Sequence, residues 1–589
     1  MPIGRLVRAG FVGAVGVLFV SLVGLMVRIS EINLIGTQVT GAYALLALVP
    51  FGAAYISVRP RVVAGRLEEL ATGRSAASGA VTGLATGGLV AASLLFTSWY
   101  GVERIREVFI EVTQELVDVL SFGQSAIVGA SILVFGGLLL GAAGGGFRTM
   151  APEVRKALAT AVSATLLMGL LQRIIPIAML QLGLDPDWLY DPISSGLTWV
   201  GAAVTFFVSL GASRLWGRRG RGARETLRTM TREQPGTRVV IGLVVFAILA
   251  TVPWLVGSVI SEVLGAVMVF MLLGLGLNIV VGYAGLLDLG YVAFFGFGAY
   301  ATALLTGATL NTTTGSAAPA LSLHLNFYVA LPIVVLLAAG VGLLIGAPVL
   351  RLRGDYLAIV TLGLGEIVSI LIGSNWLKPL VGGPQGMRNI TDASIAGFSF
   401  RDPQHFYYLS LAFVLLAAFV SLRLSGSRIG RAWNAMREDE QVADAMGIST
   451  TRYKLLAFAI GGAVGSLGGA LLAVRIGSLT PASFVILVSI TALAVVILGG
   501  MGSIPGVIVG ALVLIGLPGL LREFEEYRLL IYGAALISIM ILRPQGLIPN
   551  VRRSRELHEE DRSQDKWAGD LAADEDAAAS LTPLGEGSG

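Results

Sequence analysis

Long apolar runs, separated by short charged or glycine-rich connections, recur along almost the whole chain. Each run has about twenty residues, which is enough for a helix to cross the hydrocarbon core of a bilayer. The runs are continuous rather than alternating, so they predict transmembrane helices and not a barrel. Six runs lie near 11–27, 41–58, 77–97, 124–145, 159–180 and 196–216. Ten more lie near 239–258, 263–282, 288–307, 327–349, 356–373, 405–423, 455–474, 484–501, 504–521 and 528–543.

This pattern predicts an all-α integral membrane protein, a polytopic helical bundle of about 16 transmembrane helices. Residues 484–521 are either two spans or a re-entrant segment, because glycines at 499, 500, 502 and 506 interrupt them. Hydrophobic residues make up 55% of the 589 residues and charged residues only 13%, which excludes an ordinary soluble globular protein. The 77 glycines indicate close helix–helix approach and helix breaks.

Several kinds of chemistry lack the residues they need. The chain has no cysteine, and its three histidines are far apart, so no metal-binding spacing is visible. A phosphate-binding loop needs glycine followed by lysine, and none of the four lysines follows a glycine. We therefore expect no cofactor and no enzymatic activity in this chain, and ATP hydrolysis, if the protein uses it, on another polypeptide.

The charges between the runs predict the orientation of the spans. Arg5 and Arg8 precede the first run, which is long and lacks a cleavage site, so we interpret it as a retained span and not a signal peptide. Arginine-rich loops alternate with acidic loops. Because loops rich in arginine and lysine face the cytoplasm, the arginine-rich loops are predicted to be cytoplasmic. With an even number of spans, both termini are predicted to be cytoplasmic.

Composition also divides the chain. Residues 1–213 are predicted to form a six-span membrane extension, 214–238 a basic cytoplasmic linker, 239–549 a transporter-like membrane domain and 550–589 a disordered cytoplasmic tail. The alternative for 214–238 is an ordinary basic loop within one continuous bundle.

The most charged connection in the second half runs from Gly430 to Lys454. Gly430 and Gly447 bracket sixteen residues that contain no glycine or proline, which predicts a helix of about four turns. Gly447 suits a left-handed helix end, and Ser449 or Thr450 suits the cap of a second helix that starts near Thr451. By composition, this helix–Gly–helix segment is either a docking surface for a soluble partner or a solvated connector.

Two acids and two glycine pairs are candidates for the translocation path. Asp288 and Glu366 lie in or beside apolar runs, where an ionisable group is costly and indicates a pathway, a helix-to-helix hydrogen bond or a cap. Gly282 with Gly285, and Gly500 with Gly502, interrupt apolar runs as broken transporter helices do, although tight packing would also explain them. For three further glycines at four-residue spacing we expect packing: Gly461, Gly465 and Gly469.

Six stretches between 262 and 549 resemble the LivM-type permease of branched-chain amino acid importers, which belong to the ABC class. They are GLNIVVGYAGLLDLGYVAFFGFGAY (276–300), RLRGDYLAIVTLGLGEIVSIL (351–371), GGPQGM (382–387), GRAWNAMREDEQVADAMGISTTRYKLLAFAIGGAVGSLGGAL (430–471), ILGGMGSIPGVIVGA (497–511) and RPQGLIP (543–549). The resemblance does not cover residues 1–238, a longer N-terminal extension than such permeases carry.

The resemblance implies a role for the charged connection. ABC permeases dock their ATPase subunits on a loop with a Glu-Ala-Ala-x-x-x-Gly core. The matching residues here are Gln441, Val442, Ala443 and Gly447, preceded by Glu440 and flanked by Arg437. The first two positions depart from the pattern, whereas the alanine and the glycine are kept.

The resemblance also implies partners, location and substrate. The partners would be a second, LivH-like permease subunit, two ATP-binding cassette subunits, an extracytoplasmic substrate-binding protein and membrane lipid, with no nucleic acid. The protein would lie in the cell membrane and move leucine, isoleucine and valine. The alternatives are a permease for urea or short-chain amides, an ion-coupled secondary transporter that uses Glu366 and Asp288, and, more weakly, an intramembrane enzyme.

Overall fold

A computed structural model describes most of the chain. The described residues are 3–58, 62–63, 66–67, 72–172, 174–214, 235–312, 315–319, 321–349, 354–395, 397–520, 533, 537 and 545–549. The predicted tail 550–589, most of the predicted linker 214–238 and most of the predicted span 528–543 lie outside them. Two compact units divide the chain, Met1–Val256 and Gly257–Gly589.

Helices dominate the first part of the chain. They are α1 (Ile3–Leu22), α2 (Leu25–Ser30), α3 (Gly41–Ser57), α4 (Thr72–Tyr100), α5 (Val102–Arg106), α6 (Gln114–Leu120), α7 (Ala126–Thr149), α8 (Pro152–Leu170), α9 (Ile175–Gln181) and α10 (199–214). Two antiparallel pairs of very short strands accompany them, β1 (Asn33–Ile35) with β2 (Val39–Thr40), and β3 (Val62–Val63) with β4 (Arg66–Leu67).

The second part continues with α11 (Pro235–Leu277), α12 (Val292–Thr306), α13 (Phe327–Val349), α14 (Asp355–Gly373), α15 (Lys378–Val381), α16 (Pro403–Ser425), α17 (Arg428–Glu438), α18 (Glu440–Ala445), α19 (Thr450–Ile476), α20 (Ile486–Gly499), α21 (Ile504–Ala511) and α22 (Leu517–Leu520). Its strands are β5 (Thr309–Thr312), β6 (Gly315–Ala317), β7 (Met387–Arg388), β8 (Ser394–Ile395) and β9 (Phe398–Ser399). Strand β5 pairs with β6 and β7, and β8 pairs with β9, all antiparallel.

The predicted helical class is confirmed, whereas the count of sixteen spans is not confirmed. In the described part of the chain, nine helices are long and apolar enough to cross a membrane, or ten if the bent pair α8 and α9 forms one span. The predicted spans 239–258 and 263–282 together correspond to α11 and the π-helical turn that follows it, Asn278–Tyr283, with a non-helical backbone at Gly257. Three further apolar helical stretches of the described chain are shorter than a span: α3, α12 and Ile504–Gly519, which begins with α21.

Glycine contacts hold the core of the first unit together. Gly79, Gly83 and Gly87 on α4 lie directly against backbone atoms of α7, among them the carbonyl oxygens of Gly141 and Gly137. A side chain at any of these three positions would overlap the facing backbone. The high glycine content therefore serves close backbone packing here, as expected in membrane bundles.

Helix α19 forms the centre of the second unit. Gly461, Gly465 and Gly469 lie against Val280, Tyr291 and Phe295 respectively, so the prediction that these glycines pack neighbouring helices is confirmed. The Tyr291 hydroxyl also donates a hydrogen bond to the Gly461 carbonyl at 2.6 Å. Beyond the end of α19, Leu479 pairs with Met387 of β7, so α19 joins one end of the unit to the other.

Candidate functional site

The two predicted glycine breaks are both present as interruptions of helices. Helix α11 passes into a π-helix, Asn278–Tyr283, after which the backbone leaves the helical conformation until α12 begins. Helix α20 ends at Gly499, and α21 begins only at Ile504. A π-helical turn inside a helix is uncommon and frequently marks a functional site.

The two breaks meet at a buried asparagine, which the sequence analysis missed. Asn278 Oδ1 accepts a hydrogen bond from the Gly502 N–H at 2.8 Å, and a Cβ on Gly282 would lie 2.7 Å from the same nitrogen. Asn278 is fully buried, and its Nδ2 has no hydrogen-bond partner among the described residues. A single amide in an otherwise apolar run is the signal that would have identified it.

Gly500 contacts a different segment. A Cβ at Gly500 would lie 2.8 Å from the Ile548 carbonyl oxygen. The neighbouring carbonyls of Leu498 and Gly499 accept hydrogen bonds from the Leu547 and Ile548 N–H groups, both at 2.9 Å. Residues 545–549, the described part of the RPQGLIP stretch, therefore lie directly on the second break.

The charged connection overlaps a segment of two short helices, residues 427–449, which we name the two-helix loop. The prediction of one four-turn helix is wrong, because the loop contains α17 and α18, separated at Asp439, whose backbone is extended (φ −151°, ψ 111°). The Asp439 carboxylate accepts hydrogen bonds from the Gln441 and Val442 N–H groups at 2.8 and 3.0 Å. An aspartate that caps the following helix in this way competes with continuation of the preceding one.

The end of α18 has the predicted left-handed glycine. Gly447 has φ 85°, its N–H donates to the Asp444 carbonyl at 2.9 Å, and the Ile448 N–H donates to the Ala443 carbonyl at 3.1 Å. These two bonds form a Schellman motif. Ser449 occupies the predicted cap position of α19, although its side chain makes no capping hydrogen bond.

Three contacts fix the two-helix loop to the membrane part of the same unit. Lys454, which is itself buried near the start of α19, has its Nζ 2.6 Å from Glu440 Oε1. The Trp433 indole, which is completely buried, donates to the Tyr453 carbonyl at 2.8 Å. Ala443 is buried as well, whereas Gln441 is exposed.

Arg437 makes the third contact and links the loop to the first break. Its Nη1 donates to the Gly282 carbonyl at 2.6 Å, and a Cβ on Gly285 would lie 2.8 Å from the Arg437 Cγ. The structure thus connects these positions, because Arg437 contacts Gly282 and Gly285, and Asn278 contacts Gly282 and Gly502. These positions are far apart in sequence and were predicted as two separate groups.

Asp288 lies in the connection between the first break and α12. It is buried, and its Oδ1 accepts a hydrogen bond from the Gly290 N–H at 2.9 Å. The same connection is fastened to α14, where Thr361 Oγ1 accepts from the Leu289 N–H at 3.1 Å. Asp288 therefore organises the backbone of this turn, which agrees with the capping alternative.

Glu366 lies apart from this cluster, on the exposed side of α14. The structure also shows a membrane-segment acid that the sequence analysis missed, Glu262 in α11, which lies 3.6 Å from the Arg475 guanidinium. Among the described residues, no three His, Asp or Glu side chains are grouped so as to hold a metal ion.

Comparison with known proteins covers the part of the chain that contains these features. The profile of the family described as the branched-chain amino acid transport system / permease component matches residues 259–540. The high-affinity branched-chain amino acid transport system permease protein LivM of Escherichia coli (strain K12) is 38% identical over 402 residues, which cover 63% of this chain and 90% of the relative. The chain belongs to the LivM family of permeases. LivM of Salmonella typhimurium is 41% identical over 323 residues, 51% of this chain and 72% of the relative.

A second permease type is also similar to this LivM-family chain. LivH of Salmonella typhimurium is 34% identical over 140 residues, which cover 23% of this chain and 44% of the relative. No solved structure matches the chain. The two-helix loop, both breaks and α14 all lie within the residues that the family profile matches, so they belong to the permease domain proper.

Proposed function

We propose that this chain is the permease subunit of an importer that moves leucine, isoleucine and valine across the cell membrane. The relatives named above are permeases of branched-chain amino acid transport systems, which supports these substrates over urea or short-chain amides. The multi-pass helical architecture supports a transport role. We infer that the chain itself is not an enzyme and that separate subunits hydrolyse ATP.

The ATPase subunits dock on the two-helix loop, which faces the cytoplasm. The Lys454–Glu440 ion pair and the buried Trp433 hold the loop in one conformation before any partner binds. On its outer side, the apolar residues Val442 and Met446 lie one helical turn apart and are 58% and 79% exposed. Charged residues surround them. A rigid surface with a small apolar centre and a charged rim suits a protein partner.

Arg437 transmits the movement of the loop to the membrane helices. When the ATPase displaces the loop, the Arg437 guanidinium carries the Gly282 carbonyl with it, and Asn278 carries the movement on to Gly502 and α20. The π-helical turn adjusts without loss of the remaining hydrogen bonds, so the two breaks act as hinges. The Arg437–Gly282 hydrogen bond is the single observation that carries this proposal.

The other partners follow from the family. A LivH-like permease subunit completes the membrane part, and an extracytoplasmic binding protein delivers the amino acid. Both chain termini are cytoplasmic. The glycine pairs at the breaks, Gly282 with Gly285 and Gly500 with Gly502, line or gate the translocation path, with Asp288 in the turn beside the first break.

Uptake measurements test the function directly. Labelled leucine and urea are supplied to cells with and without this gene, and either ATP is depleted or the ion gradient is collapsed. We expect gene-dependent leucine uptake that fails when ATP is lost and persists when only the gradient is lost. Loss of uptake when only the gradient is collapsed would instead indicate a secondary transporter. Gene-dependent uptake of urea would refute the assignment of leucine, isoleucine and valine as substrates.

A further inference from the structure

One side of α14 is exposed along the length of the helix and has the spacing of a helix-packing surface. Ile359, Gly363, Glu366 and Ile370 are four, three and four residues apart, so they lie in one row. Ile359 and Ile370 are 64% and 63% exposed. We name this row the α14 stripe.

The opposite side of α14 shows how the same helix packs within this chain. A Cβ on Gly365 would lie 3.0 Å from the Gly290 Cα, and the Thr361 hydroxyl bonds to the Leu289 N–H. Gly363 is different, because no atom of the described residues lies within 4 Å of the position of its Cβ. The space over Gly363 is what a closely approaching helix from another chain would need.

Glu366 would make exposure of the α14 stripe to lipid energetically unfavourable. It is the twelfth of the nineteen residues of α14, about 17 Å from the start of a helix about 28 Å long. Its carboxylate is therefore near the middle of the hydrocarbon core, where ionisable groups almost always face a bundle interior, a water-filled cavity or a partner. Glu262 has Arg475 as its partner, whereas Glu366 has no hydrogen bond or ion pair with any of the described residues.

We propose that the α14 stripe is the surface on which the second, LivH-like permease subunit packs, with a hydrogen-bond donor of that subunit bonded to Glu366. The inference rests on the proposed function, which requires such a subunit. Lipid cannot supply a donor at this depth. A second copy of this chain in a two-fold contact would place one Glu366 carboxylate opposite another, so that each would meet an identical side chain and not an amide or hydroxyl donor. A related but different subunit avoids that conflict.

Photo-crosslinking in the assembled complex tests the surface. The chain has no cysteine, so Ile370→Cys, labelled with a benzophenone maleimide, is the single attachment point. Leu336→Cys on α13, which is 72% exposed, is the control. We expect a covalent product with the second permease subunit from Ile370→Cys and none from Leu336→Cys. A product with lipid only, with a second copy of this chain, or equally from the control position would overturn the proposal.

Substitutions in the stripe give an independent readout. Glu366→Leu should reduce co-purification of the second permease about fivefold or more. This is the change in affinity that corresponds to loss of an interhelical hydrogen bond of about 1–2 kcal/mol. Glu366→Gln can still accept a hydrogen bond and should restore co-purification. Equal co-purification by Glu366→Leu and the unchanged chain would overturn the role of Glu366.

The two possible failures are distinguishable. If the second permease co-purifies with the unchanged chain but crosslinks only from Leu336→Cys, the surface is wrong and the proposed function stands. If no second permease co-purifies with the unchanged chain while leucine uptake continues, the partner in the proposed function is wrong as well.

Discussion

Removal of the Arg437 side chain should separate ATP hydrolysis from transport. The guanidinium donates a charge-assisted hydrogen bond of 2.6 Å to the Gly282 carbonyl. A hydrogen bond to a charged group contributes about 1.5–3 kcal/mol. At about 1.4 kcal/mol for each factor of ten, loss of this bond in Arg437→Ala should weaken the coupling between loop and break by about 10- to 140-fold.

The assay is the number of leucine molecules transported per ATP hydrolysed, measured with the purified complex in proteoliposomes. Arg431→Ala is the matched control, because Arg431 lies on the same helix and its side chain, among the described residues, donates only to the nearby Gly426 carbonyl, at 3.3 Å. We expect Arg437→Ala to retain binding of the ATPase and basal hydrolysis while its transport per ATP falls. Arg431→Ala should keep the ratio of the unchanged chain.

Two results would refute this reasoning. An unchanged ratio in Arg437→Ala would show that the bond to Gly282 transmits nothing. An equal loss in both variants would show that positive charge on α17 matters, and not the position of one guanidinium.

Three further predictions concern the loop and the first unit. Gly447→Val forces a branched residue into a left-handed conformation that costs about 1–2 kcal/mol, so substrate-stimulated ATPase should fall, whereas Gly447→Asn, which tolerates this backbone, should retain it. Glu440→Gln leaves the buried Lys454 ammonium without its counter-charge. Loss of one partner of a buried ion pair destabilises a protein by about 3–5 kcal/mol, and by less here because Glu440 is partly exposed. Limited proteolysis should therefore cut the two-helix loop faster. Gly83→Ala should lower the melting temperature in detergent, because overpacking costs about 1–3 kcal/mol. Gly88→Ala on the same helix should not, because a Cβ there meets no atom of a neighbouring helix within 4 Å. Equal melting temperatures of the two variants would contradict the backbone contact of α4 with α7.

The sequence predicts the class of fold and the local features of the loop well. Continuous apolar runs identify helices, and Gly447 has the left-handed backbone expected of it. The break at Asp439 was missed because the pattern of apolar residues continues through it, while the capping hydrogen bonds that end α17 depend on a single side chain.

The assembly of the site could not be predicted in the same way. Arg437 and Gly282 are 155 residues apart, and no periodicity or spacing connects them. Asn278 was overlooked because apolar residues surround it, although that isolation was itself informative. The count of sixteen spans is not confirmed, since hydrophobicity alone does not distinguish a full span from a short helix such as α12.

The central helix α19 begins at the two-helix loop and ends beside Leu479, which pairs with β7. Its 27 residues make a rod about 40 Å long. If the rod tilts as one body by about 5°, its far end moves by about 3.5 Å, a distance comparable to the rise of two residues. The two ends of α19 are then linked by leverage through a single stiff element, so a displacement of the two-helix loop reaches Leu479 and β7 in addition to the route through Arg437.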